Sequence, residues 1–148
     1  MAEVGIAASV LGIASFGVRL TLTLYDFGAT ASAARAQTDR VARNITHYSS
    51  LLELLGERLK DDKRVHSDAA LDFIEELSED SRYLFKSIKK LLPSREHGQD
   101  QISLIEKVKW NFKKPRVDAL MVEVERLKTS VNLLVQILYA GVKIRSYK

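Results

Sequence analysis

Residues Val4–Val18 read VGIAASVLGIASFGV, a run with no charged residue that contains Gly5, Gly12 and Gly17 and follows the acidic Glu3. How this stretch is housed decides the fold. A helix that crosses the hydrocarbon core of a bilayer takes roughly 20 apolar residues. Arg19 closes this run early, so a permanent span is not expected. A cleaved secretory signal fits poorly, because its first region should be positive. Here that region holds Glu3, and both Arg19 and Asp26 precede the small-residue stretch ATASAARA. Ala2 in place of glycine excludes N-myristoylation, and the terminal IRSYK has no cysteine to prenylate.

On a helix, Gly5, Ala8, Ser9, Gly12 and Ser15 fall near one face, while Val4, Leu11, Phe16, Val18 and Leu22 supply bulk around the rest. A helix apolar on all sides is either enclosed by protein or held by lipid, and a small-residue face permits close backbone approach in both settings. In a soluble state it should sit at the centre of the molecule, enclosed by amphipathic helices. Each glycine costs about 1 kcal/mol relative to alanine in a helix interior. That cost suits a segment able to leave its first packing site, although close packing alone would also call for glycine.

The chain has 148 residues, enough for a single core-forming domain over 1–148 without disulfides. It has no cysteine, which leaves no thiolate metal site or cysteine nucleophile and is compatible with the cytosol or nucleus. Two prolines and seven glycines among abundant Ala, Leu, Glu, Lys and Arg favour helix over sheet. The expected fold is all-α: a four-helix bundle with an additional short helix and a central hydrophobic N-terminal helix, spanning 1–25, 36–61, 68–92, 101–113 and 115–145. The segment FGATASAARAQT, with Gly28, reads as the turn after the first helix.

Val41, Ile45, Tyr48, Leu52, Leu55 and Leu59 step by threes and fours and form one stripe, widened by Leu51 and Leu54. Ser67 or Asp68 suits the cap of the next helix, in which Leu71, Ile74, Leu77, Leu84, Ile88 and Leu91 face inward until Pro93. Pro115 suits a first helical turn. Val117, Leu120, Val124, Leu127, Val131, Leu134, Leu138 and Gly141 then alternate spacings of three and four without a break. Such heptads mean helix-on-helix packing, here more readily within one molecule than between two.

Charge is uneven along the chain. Glu53 to Asp80 holds ten acidic and four basic residues, and Gly98 to Lys148 ten basic and five acidic, within a net +4. The halves can attract each other, or the basic end can steer towards an anionic partner. The sharpest basic feature is KVKWNFKKPR, where Trp110 and Phe112 interleave with Lys107, Lys109, Lys113, Lys114 and Arg116. It fits a turn whose Trp110 plugs the core, or contact with anionic lipid headgroups or an acidic partner. Nucleic acid is the least favoured partner.

No catalytic constellation emerges, so an enzyme is not expected, and no cofactor is implied. His47, His66 and His97 are scattered without metal-ligand spacing, and no nucleophile elbow or phosphate-binding glycine loop is present. Acidic neighbours such as Asp61 and Asp62 or Glu75 and Glu76 read as solvated helix faces. Asn44-Ile45-Thr46 matches the glycosylation sequon but lies on an expected helix of a chain without a convincing signal, and is discounted.

The opening AEVGIAASVLGIASFGVRLTLTLYDF, followed by VKWNFKKPRVDALMVEVERLKTSVNLLVQIL, resembles the N-terminal helical domains of fungal NOD-like (STAND) receptors and their cell-death partners, the HeLo and HeLo-like group. The pattern is a Gly/Ala-rich first helix, then a W-x-F-K-K turn leading into a long Leu-rich helix, and it covers most of the chain. It is similar also to the N-terminal bundles of mixed lineage kinase domain-like protein and of RPW8-type plant immune receptors. The resemblance implies a cytoplasmic death effector that a receptor or an amyloid-signalling partner clusters. Self-association then releases the first helix at the plasma membrane, where anionic lipids are met. The membrane-acting residues carried over by position are Val4, Gly5, Ile6, Val10, Leu11, Gly12, Ile13, Phe16 and Val18. No nucleotide-binding module or amyloid motif follows within the 148 residues, so an excised domain and a stand-alone member both fit. The alternative is a non-lytic adaptor that joins a receptor to a partner through the final heptads.

Overall fold

The computed structural model describes residues 2–61, 68–94 and 100–146, with side chains placed for 5–60, 68–94 and 100–138. These residues are all-helical: α1 is Ala2–Thr30, α2 Arg35–Asp61, α3 Asp68–Leu91, α4 Gln101–Asn111 and α5 Lys114–Ser146, with one 3-10 turn at Ser32–Ala34. No strand occurs among the described residues.

Local chemistry accounts for most helix ends. Asp68 places a carboxylate in the first turn of α3, where the helix dipole is positive. That helix ends at Leu91, two residues before Pro93. Asp100 caps α4, its Oδ1 accepting from Ile102 N at 3.2 Å. Pro115 stands in the first turn of α5, where its missing amide would have had no partner. Ser67 lies outside the described residues.

The end of α1 differs from the sequence expectation. The helix runs through Gly28 to Thr30 instead of stopping near Tyr25. Gly28 is a packing residue, because a β-carbon there would collide with Thr38 Oγ1 of α2. The missing side chain lets the two helices approach closely beside their short connection, which the Ala34 N to Ala31 O bond of 2.9 Å tightens.

α2 packs along α1 on one side and against α5 on another, while α3 meets both α1 and α5. The core follows the helical stripes. Val41, Ile45, Tyr48, Leu52, Leu55 and Leu59 are buried on α2, as are Ile74, Leu77, Leu84, Phe85 and Ile88 on α3. Each such side chain contributes about 1.5–3 kcal/mol through burial. An aromatic cluster joins three helices: Phe16 of α1 stacks on Phe85 of α3 at 6.0 Å, and Phe85 meets Tyr48 of α2 edge-on at 5.8 Å. The Tyr48 hydroxyl hydrogen-bonds Ser81 Oγ, and Ser81 Oγ also donates to Leu77 O at 2.7 Å.

The expected enclosure of α1 on all sides is not what the structure has. Ile6, Ala7, Val10, Ile13, Ala14, Leu20, Leu24 and Phe27 are buried against α2 and α3. Gly5, Ala8, Gly12, Ser15, Val18, Leu22 and Tyr25 face outward. The reason is geometric: the heptads of α5 are spent on α2 and α3, so no described helix packs extensively over the outer side of α1.

Candidate functional site

The membrane-acting residues expected on α1 divide between its two faces. Ile6, Val10 and Ile13 point into the core, Leu11 and Phe16 are half-buried, and Gly5, Gly12 and Val18 face solvent. Val4 lies outside the described side chains. From Gly5 to Val18 the outward stripe contains no charge. A helix on the surface of a globular protein ordinarily turns charged residues to that side.

The role expected of the small-residue face is corrected. A β-carbon at Gly5 or Gly12 would meet nothing within 4 Å, so these glycines do not serve helix packing here. Close approach occurs instead at Gly17, Gly28 and Gly56. A β-carbon at Gly56 of α2 would lie 2.6 Å from Leu11 Cδ2. The sequence signal for Gly56 is a glycine placed inside the leucine stripe LLELLGERL, which marks a near neighbour.

Polar groups on α1 are largely answered within the helix. Thr21 Oγ1 donates to Gly17 O at 3.0 Å, Thr23 Oγ1 to Arg19 O at 3.1 Å and Thr30 Oγ1 to Asp26 O at 3.3 Å. Such bonds to the preceding turn cover a hydroxyl wherever the helix is placed. Among the described residues one helix, Gly5–Thr30, is long and apolar enough by length and composition to cross a membrane, its most apolar 18-residue window having a mean hydropathy of 1.6. Arg19 therefore interrupts the apolar run without ending the helix.

The basic segment folds into the end of α4, the turn and the start of α5. Phe112, not Trp110, fills the core: Phe112 is 1% exposed and Trp110 56%. Lys107, Lys109, Lys113, Lys114 and Arg116 are all exposed. Lys113 Nζ stands 4.0 Å from the Trp110 ring centre and Arg116 Cζ 5.6 Å, which makes an outward-facing cation–π cluster. Lys114 Nζ approaches Asp118 at 3.7 Å, and Asp118 accepts a 2.6 Å hydrogen bond from Arg40 Nη1 of α2. The Arg40 guanidinium, with Lys114 nearby, holds the Asp118 carboxyl below the usual carboxylate range.

The α5 heptads are filled from within. Val117, Val124, Leu127 and Val131 are wholly buried, Leu134 nearly so, and Leu120 and Leu138 pack partly buried against the core. Gly141 lies outside the described side chains. Polar links reinforce the helix: Arg126 reaches Asp80 of α3 at 3.7 Å, and Lys128 Nζ donates to Asn44 Oδ1 at 2.9 Å. The Asn44 amide is thus engaged between α2 and α5, its Nδ2 also donating to Arg40 O.

His47 is exposed on α2, and His66 and His97 lie outside the described residues. Among the described residues no group of three His, Cys, Asp or Glu side chains is placed to hold a metal ion. Comparison of the chain with protein-family models, curated proteins and solved structures returns no match.

Proposed function

We propose that this chain is a four-helix bundle with an additional short helix that works as a membrane-targeting cell-death or signalling domain of the HeLo-like kind. In its resting form α1 lies along α2 and α3. Clustering by a receptor or an amyloid-signalling partner raises the local concentration of α1, favours its release, and brings it to the plasma membrane, which it permeabilises. The observation that carries the reading is the outer side of α1: a helix of membrane length, set at the edge of the molecule, with no charge on its exposed stripe between Gly5 and Val18. The exposed Trp110 with Lys113 and Arg116 suits an anionic headgroup layer, where each basic residue contributes about 1 kcal/mol.

The adaptor alternative loses the surface expected to serve it, since the α5 heptads already pack inside the molecule.

Leakage of dye from vesicles containing phosphatidylserine tests the proposal, comparing the parent protein with Gly12→Glu. Gly12 faces open space, so the folded bundle accommodates the glutamate. Within the bilayer a charged side chain near the middle of a helix costs about 3 kcal/mol. Leakage should fall severalfold while the melting curve stays unchanged or rises. Equal leakage by both proteins would remove the membrane role from α1.

A further inference from the structure

Where α1 passes the end of α3, the two helices leave a cleft of about 680 Å3 walled by both. Its floor is apolar, with Leu20 and Phe27 buried and Phe16 half-buried. Its rim carries Arg19 from α1 and Lys89 and Lys90 from the last turn of α3, all exposed. Asp26 is the one carboxylate among the lining residues, and it has an interaction of its own. Lys89 Nζ stands 5.7 Å from the Phe16 ring, and none of the three cations forms an ion pair with another described residue.

Lysines in a last turn complement the negative end of a helix dipole. That need is already partly met here. Asn111 Nδ2 donates to Leu91 O at 2.6 Å, and Leu92 N donates to Lys89 O at 3.1 Å. Positive charge in excess of what the fold uses therefore rings an apolar floor.

We infer that this cleft binds a single-chain anionic lipid. Its phosphate or carboxylate headgroup is held by Arg19, Lys89 and Lys90, and the start of its alkyl chain lies on Phe16, Leu20 and Phe27. Sites for small ligands are of this size and kind, mostly apolar with a few placed polar groups, and a guanidinium pairs well with a phosphate. A free phosphate would leave the floor uncovered, and a zwitterionic lipid would set its own ammonium against the three cations. Binding uses α1 in its packed position and does not rest on α1 entering a membrane. A bound lipid bridges α1 and α3, so its second effect is to hold α1 in place.

The test is calorimetric titration of the whole chain with oleoyl-lysophosphatidic acid below its micelle concentration, with oleoyl-lysophosphatidylcholine and glycerol 3-phosphate as comparison probes. One equivalent of the first should bind, about tenfold or more tighter than either comparison probe. Arg19→Gln combined with Lys90→Gln, both at exposed positions, should weaken binding about tenfold with the melting curve unchanged. Arg43→Gln combined with Lys60→Gln, at exposed positions on α2, which lines no part of the cleft, should leave affinity as it is. Equal affinity for the zwitterionic lipid or for glycerol phosphate would overturn the site, as would parent-like binding by the rim variant. An equal loss in both variants would reduce the effect to overall charge and overturn it too.

Discussion

Gly17 of α1 faces Phe85 of α3 so closely that a β-carbon at position 17 would stand 2.9 Å from ring atom Cε2 and 3.0 Å from Cζ, and would collide with Ser49 Oγ of α2. Ser49 Oγ is buried there with no hydrogen-bond partner among the described residues. Three helices thus meet at a point with no room to spare, five residues along α1 from Gly12, which faces open space.

Alanine should consequently act in opposite directions at these two glycines. At Gly12 it gains about 0.5–1 kcal/mol of helix propensity and meets nothing. At Gly17 overpacking costs about 1–3 kcal/mol and outweighs that gain. Urea unfolding of Gly12→Ala and Gly17→Ala measures the contrast, and Ser49→Ala should recover part of the Gly17→Ala loss by removing one of the two collisions. Shifts of the same sign and size at both positions would contradict the packing described for α1.

Phe112 and Trp110 should separate stability from surface binding. Phe112→Ala empties a filled core position and costs about 3–5 kcal/mol. Trp110→Ala removes an exposed ring with its cation–π partners and costs about 1 kcal/mol or less. Co-sedimentation with phosphatidylserine vesicles should show the reverse ranking, with Trp110→Ala losing binding severalfold. A parent-like Trp110→Ala in that assay would separate the aromatic cluster from lipid contact.

Tyr48 should make the fold sensitive to alkali. Burial holds its hydroxyl well above the ordinary tyrosine value of 10.0, against a smaller opposing effect of the Ser81 hydrogen bond. With the folded pKa raised, the unfolded chain releases this proton first. The stabilisation is complete below about pH 10 and is lost above it at about 1.4 kcal/mol per pH unit. Tyr48→Phe should remove this component of the slope between about pH 10 and pH 11. At neutral pH it should cost about 1 kcal/mol, since Ser81 Oγ keeps its bond to Leu77 O. Identical alkaline slopes for parent and variant would refute the assignment.

The pair of Arg40 and Asp118 should act at the other end of the pH scale. The Asp118 carboxyl is held low chiefly by its hydrogen bond from Arg40. Its contribution is present above the ordinary carboxylate range and is lost as pH falls through the depressed folded value. Asp118→Asn should therefore lower the urea midpoint at neutral pH, and the gap to the parent should close in strong acid. A gap of the same size at both pH values would show that the ion pair is not its source.

The helical class was legible because periodicity, caps and prolines are local. The stripe from Val41 to Leu59 and the heptads from Val117 to Leu134 identify inward-facing side chains whatever the partner helix. Which ring of KVKWNFKKPR enters the core was not legible. Trp110 and Phe112 are two positions apart, and the choice between them depends on how the end of α4 meets its neighbours.

Helical character, the position of most helix ends, and an apolar first helix with a glycine-bearing, uncharged stripe are all properties of the local sequence. These follow from backbone preference and from the 3.6-residue repeat, which act over one or two turns. The direction in which that first helix turns is set by the packing of the other helices. Once α5 spends its heptads on α2 and α3, half of α1 is covered and half is not, so Gly17 is pressed against Phe85 while Gly12 stands open. Exposure of a helix face depends on the competition among all the helices for a limited apolar surface, and no single segment carries that information.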